Sequence, residues 1–156
     1  PKAAKWLEQN AKVGQKVTVT IGGWYGEFSN RPIEVTGKVH FTGRPVYKLI
    51  GPMGKGGTVR DAFICTLDLG DGRFLVVSER MRGANDSAGF TAAGIDYTKL
   101  DIIVLKDRVH HRAYWDSVAK TDIRTSVPGE GPADLSTLHY ENIEKDIYPA
   151  GEKWKK

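Results

Sequence analysis

The sequence predicts an α+β domain: a largely antiparallel sheet, a few helices and one strand–helix–strand unit near the C-terminus. Three observations lead there. The first half alternates apolar and polar residues in short runs between glycine-rich breaks, the pattern of half-buried antiparallel strands. "CTLDLGDGRFLVV" sets two apolar runs around Gly70-Asp71-Gly72, a strong hairpin signal because such a turn needs positive φ. In the second half, helix-like spacing appears between apolar runs.

The elements follow in order. In "AAKWLEQNAK", Ala3, Ala4, Leu7 and Ala11 recur at helical spacing until Gly14 breaks the run, so residues 1–14 read as a linking helix. "KVTVTIGG" alternates Val17, Val19 and Ile21 with polar neighbours and reads as a strand. "WYGEFSNRP" is a loop. "IEVTGKVHFTG" is a second strand through Ile33, Val35, Val39 and Phe41, and "RPVYKLIG" a third. With the hairpin, the expectation is a meander of about five antiparallel strands. "NDSAGFTAAGID" predicts a short helix capped by Asp86 or Ser87 and closed by Gly94. "DIIVLK" is a continuous apolar run, expected of a strand covered on both faces. "RVHHRAYWDSVAK" follows as a helix turning Val109, Ala113, Val118 and Ala119 inward, and "DIRTSV" as a strand. Residues 101–127 would then form one crossover unit, right-handed if its strands are parallel. "PGEGPADLSTL" is a loop leading to a short helical turn, and residues 150–156 are a solvated tail. No internal repeat or low-complexity linker divides the chain, so residues 1–156 are expected to be one domain.

Composition excludes several classes. The 156 residues are 40% hydrophobic and 27% charged, which is globular. No run approaches the roughly 20 apolar residues of a spanning helix, so no membrane partner is expected. The N-terminus is too polar for a signal peptide. The single Cys65 precludes an internal disulfide framework, and a cytoplasmic location is the expectation. A net charge of +4, from 23 basic and 19 acidic residues, is mild and scattered, so no nucleic-acid partner is expected.

The candidate chemistry is sparse. His40, His110, His111, His139 and Cys65 contain no pair at zinc-ligand spacing. On a helix the adjacent His110 and His111 point about 100° apart and cannot easily share an ion. No metal ligand is assigned in this chain. Cys65 lies in "AFICTLDL", where a buried, inert thiol is expected. "GPMGKGGT" is not a Walker loop: from Gly51, the lysine position holds Gly57. Its glycines either make a tight turn or let a ligand approach Gly51, Pro52, Met53, Gly56 and Gly57. The stretch "LKDRVHHRAYWD" puts Lys106, His110 and Arg112 where a strand would meet a helix N-terminus, a usual place for anionic ligands. Equally, His110 would cap the helix while Arg112 and Asp116 pair across one turn.

The same residues carry a family resemblance. "IIVLKDRVHHRAYWD" resembles the V-V-K-S-x-x-H-F-R-A segment of the MlrC family of microcystin-degrading metallohydrolases, through Lys106, His110, Arg112 and Ala113. Pro128, Gly129, Asp134 and Leu135 match its T-P-G-x-x-x-P-D-L segment, and Ile147 and Pro149 its close. Upstream, "GPMGKGG" is similar to the family's G-P-M-[YF]-G-G loop. Ser78, Arg80, Phe90, Gly94, Ile95 and Asp96 match its S-x-R and F-x-x-x-G-I-D stretches. The resemblance runs from about Val17 to Pro149. The chain departs at Asp107 (serine in the family), at His111 (an aromatic), at Gly54-Lys55, and at Asn142 and Glu144, where basic residues are expected.

The resemblance implies the C-terminal part of a zinc-dependent hydrolase of peptide or related amide bonds. Its metal ligands would lie on an N-terminal domain of the same protein, so no cofactor is expected in this chain and zinc is expected in the full-length enzyme. The proline start, without methionine, fits a separated segment. The implied substrate is peptide-like or a small anion. Arg80, Lys106, Arg112 and the Gly51–Gly57 loop would line the cleft, Arg112 holding a carboxylate bidentately. His110 would be the catalytic residue, donating to an oxyanion or to metal-bound water. The alternative is a stand-alone domain that binds a small anion or a partner without catalysis. Homo-oligomer formation is left open.

Overall fold

The computed structural model describes residues 2–23, 31–107, 109–125, 139, 141–142, 144 and 146–147. The chain forms two compact units. One is Pro1–Ile21 with Pro32–Asp122; the other is Gly22–Arg31 with Ile123–Lys156. The first holds all the described helices and strands.

Helix α1 spans Lys2–Asn10 and packs against the sheet, with Ala4 and Leu7 fully buried. The N-terminal helix therefore belongs to this unit's core. Strands β1 (Lys16–Ile21), β2 (Ile33–Gly43), β5 (Ile64–Gly70) and β6 (Arg73–Ser78) form an antiparallel sheet in the order β1-β2-β5-β6. The alternation read in the sequence is the pleat: Val17 and Val19 face the core while Lys16 and Thr18 face solvent. Ala4, Leu7, Val17, Val19, Val39, Phe63, Cys65 and Leu67 form one apolar cluster under α1. A fully buried leucine such as Leu7 contributes about 1.5–3 kcal/mol. At the rim Arg44 pairs with Glu8 of α1 at 2.7 Å and with Glu79 at 3.0 Å. These exposed pairs hold the helix end to the sheet weakly.

The predicted hairpin forms as read. Gly70, Asp71 and Gly72 have φ of 86°, 52° and 72°, and the Asp68 carboxylate accepts from the Gly70 N–H at 2.8 Å. The five-strand meander needs correction. Val46–Lys48 is β3, but it leaves the main sheet and pairs with β4 (Thr58–Arg60) as a separate two-stranded ribbon. The ribbon reaches α2 (Ala88–Ala92) through Arg82, which donates to Tyr47 Oη at 3.5 Å and to the Gly89 carbonyl at 3.1 Å. Arg82 Nε also lies 2.6 Å from Asp61 Oδ2, off hydrogen-bond alignment, so that attraction is ionic.

The crossover unit expected over 101–127 does not form. Residues 101–107 and 121–125 belong to no strand, and residues 126–127 lie outside the described ones. Ile102 and Val104 are 80% and 90% exposed. The helix expected at 108–120 shrinks to α3 (Arg112–Trp115). Its inward residue is Trp115; Val109, Ala113, Val118 and Ala119 are exposed. The aromatic offers more apolar area to bury than any of those four, and so decides which face turns in.

The loop at 24–30, Pro128–Leu135, Pro149 and the tail lie outside the described residues. Among the described residues no helix is long and apolar enough to cross a membrane.

Candidate functional site

The Gly51–Gly57 loop joins β3 to β4. The Leu49 N–H donates to the Gly57 carbonyl at 2.9 Å, and the Gly56 N–H to the Leu49 carbonyl at 2.8 Å. Gly54 and Gly56 have φ of 88° and 82°, a region that glycine enters without a Cβ penalty. The tight-turn reading is thus physically present. A surface role is compatible with it, because Pro52, Met53, Gly56 and Gly57 are exposed while Gly51 is buried.

Gly51 is pinned from below. The N–H groups of Ile50 and Gly51 both donate to Asp86 Oδ2 at 2.8 Å. The other carboxylate oxygen accepts from the Ala88 N–H at 2.9 Å and so caps α2. Asp86 is 3% exposed, and three backbone donors satisfy a carboxylate that burial would otherwise penalise. Ser87 occupies the cap position, yet makes no side-chain cap bond. Its hydroxyl instead shares a 2.8 Å hydrogen bond with the Tyr114 hydroxyl, which lies 3.3 Å from that of Tyr97. Burial pushes the Tyr114 phenol above its usual range. Gly94 closes α2 as expected: its φ is 78°, and the Ile95 N–H reaches back to the Phe90 carbonyl at 2.9 Å.

Helix α3 meets this frame. Trp115 packs edge-on against Phe90, Tyr97 and Tyr114, and its Nε1 donates to the Ala84 carbonyl at 2.9 Å. A Cβ at Gly51 would sit 2.8 Å from Asp86 Cβ and 3.2 Å from Tyr114 Cδ2. Only a glycine lets the loop come this close. The G-P-M loop, the start of α2 and α3 therefore pack together as one continuous patch, and three separate stretches of the resemblance meet there.

The predicted polar residues are placed unevenly. Arg112 is half-exposed and pairs with Asp116 at 3.1 Å, the alternative weighed from spacing. The cap position of α3 is His111, not His110, and no side chain caps the helix; Asp107 instead binds the turn just before it. Its Oδ1 accepts from the N–H groups of Val109 at 3.0 Å and His111 at 3.4 Å, and lies 3.4 Å from His111 Nδ1. Burial raises the Asp107 pKa, but these bonds outweigh it and hold the carboxyl below its usual range. His110 and Lys106 are exposed, and among the described residues no strand runs into either of them along the chain. Arg80 is exposed too, close enough to Glu79 to help lower that carboxyl's pKa after the Phe63 N–H and Arg44. Among the described residues, no hydrogen bond or ion pair joins Lys106, His110 or Arg80 to the loop.

The thiol and the histidines are placed apart from one another, each with its own surroundings. Cys65 is fully buried, and burial pushes its pKa to about 11. His40 Nε2 is bonded to the Gly94 carbonyl at 2.7 Å, and its ring meets Phe74 edge-on. His111 lies between Asp107 and Asp122, whose Oδ2 is 3.7 Å from its Nε2. His139 is exposed, 3.8 Å from Glu141. Among the described residues, no three His, Cys, Asp or Glu side chains form a group that would hold an ion.

The model of one protein family, described as MlrC C-terminus, matches residues 1–142. The chain belongs to this family. Among curated proteins, none matches it. As an MlrC C-terminal domain, the chain keeps the G-P-M loop seated on Asp86. Sequence reasoning read Asp86 and Ser87 only as alternative helix caps and overlooked Tyr114, Tyr97 and Trp115. The available signal was "NDS" before a short helix, together with three aromatics that had no other core to fill.

Proposed function

We propose that this domain forms one wall of the substrate cleft of a zinc-dependent hydrolase of peptide or related amide bonds. The zinc of the full-length enzyme would lie on an N-terminal domain of the same protein, because the described residues of this chain do not fit a metal. The observation that supports the reading is the seating of Gly51 against Asp86 and Tyr114, which joins the loop and α3 into one rigid surface. Rigidity is what a cleft wall needs, since misplacing a substrate by about 1 Å can cost 10²-fold in rate.

On this wall the Gly51–Gly57 backbone approaches a peptide-like or small anionic substrate. Arg112 exchanges its exposed partner Asp116 for a substrate carboxylate, a charge-assisted contact. Lys106 and Arg80 add positive charge, and His110, as the catalytic residue of this wall, donates a hydrogen bond to the developing oxyanion of the substrate.

The test is zinc content and activity. The purified chain, dialysed without chelator, should hold near-zero zinc per mole and hydrolyse no N-acetyl dipeptide amide. The full-length protein should hydrolyse it with zinc, and Arg112→Ala should raise KM. Tight binding of about one zinc by this chain alone would overturn the reading.

A further inference from the structure

Asp86 and Ser87 are adjacent and nearly inaccessible, at 3% and 1% exposure, yet their side chains serve different elements. Asp86 binds backward to the loop, at Ile50 and Gly51, and forward to its own helix at Ala88. Ser87 binds outward to Tyr114 of α3. An ordinary cap would satisfy α2 alone. Here the α2 cap positions are given over to holding two elements 35 and 27 residues away in sequence.

We infer that Asp86 and Ser87 are the positioning pair of this site: Asp86 fixes the Gly51–Gly57 loop and Ser87, through Tyr114, fixes α3, so that both present their groups to substrate at a set separation. The inference rests on the proposed cleft for its functional meaning, but its mechanical part stands alone. Among the described residues, loop and α3 share no hydrogen bond of their own; both are tied to the short segment 84–87, the loop through Asp86 and α3 through Ser87–Tyr114 and the Trp115–Ala84 bond. The two elements therefore respond together. Loosening Ser87 is felt at Gly51, and loosening Asp86 is felt at Tyr114.

Amide hydrogen exchange and chemical shifts of the whole chain test this. In Asp86→Ala, the Ile50 and Gly51 amides should exchange at least tenfold faster while those of Leu67 and Val77 keep their rates. Asp86→Asn retains one acceptor oxygen and should restore part of that protection. Ser87→Ala, the milder change, should shift both Tyr114 and Gly51 resonances. Unchanged Gly51 signals in a folded Ser87→Ala chain would overturn the coupling, and unchanged Ile50 and Gly51 exchange in a folded Asp86→Ala chain would overturn the role of Asp86. N-acetylglycine is then titrated as a carboxylate probe. Wild type should show the loop and α3 responding with a single affinity, and Ser87→Ala should lose the α3 response. Absence of any probe response in wild type would count against the proposed cleft and leave the exchange result to decide the positioning pair.

Discussion

Strand β5 and the segment 101–107 begin from the same sequence signal and end differently. "FICTL" and "IIVLK" are both continuous apolar runs. In β5, Ile64, Cys65, Thr66 and Leu67 are all fully buried, paired to β2 on one side and β6 on the other. Cys65 and Leu67 join the cluster under α1, while the Thr66 hydroxyl donates to the Ala93 carbonyl at 2.8 Å on the opposite face. In 101–107 the exposure alternates, and Ile102 and Val104 stand in solvent. A run of apolar residues states a capacity for burial. Neighbours decide whether it is used, because burial stabilises only in proportion to the area another element covers.

The sharpest test of that contrast is Leu67→Ala. It should lower unfolding free energy by about 2–5 kcal/mol, because the tightly packed cluster cannot collapse into the gap. Chemical denaturation measures it. Next is Gly51→Ala, where the new Cβ meets Asp86 and Tyr114; overpacking of this kind costs about 1–3 kcal/mol. The same denaturation experiment should show this smaller loss. A smaller effect attaches to pH. Asp107 has its folded pKa lowered below the usual 3.8. Its contribution is therefore complete above that value and is lost as pH falls through the lower folded value. Amide exchange at Val109 and His111 should quicken there, and Asp107→Asn should remove the dependence. The smallest effect belongs to Ile102→Ser and Val104→Ser, each within about 0.5 kcal/mol. A loss as large as that of Leu67→Ala would show that 101–107 is covered in solution, and the contrast would fail.

Much of the sheet was legible in advance, because a period of two has one solution once a face is buried. Val17, Val19 and Val39 lie inward as their spacing requires, and the Gly70-Asp71-Gly72 turn needed only local φ preferences. The departure of β3 was not legible, since "PVYKL" alternates as well as any strand of the main sheet. At the site, the spacing of Arg112 and Asp116 and the glycines of the loop could be read from local rules. The roles of Asp86 and Ser87 could not, because their partners lie 27 to 36 residues away.

By itself, then, the sequence determined the α+β class, the hairpin, the buried thiol and the membership of the MlrC C-terminal family. Each follows from residues close together in the chain, or from short motifs in fixed order. Tertiary structure alone decided which apolar run is buried, which side of the short α3 faces in, and that Asp86 holds a loop as well as a helix. Those outcomes depend on competition between distant segments for a limited covered surface and a limited set of hydrogen-bond partners, and no local pattern encodes the winner.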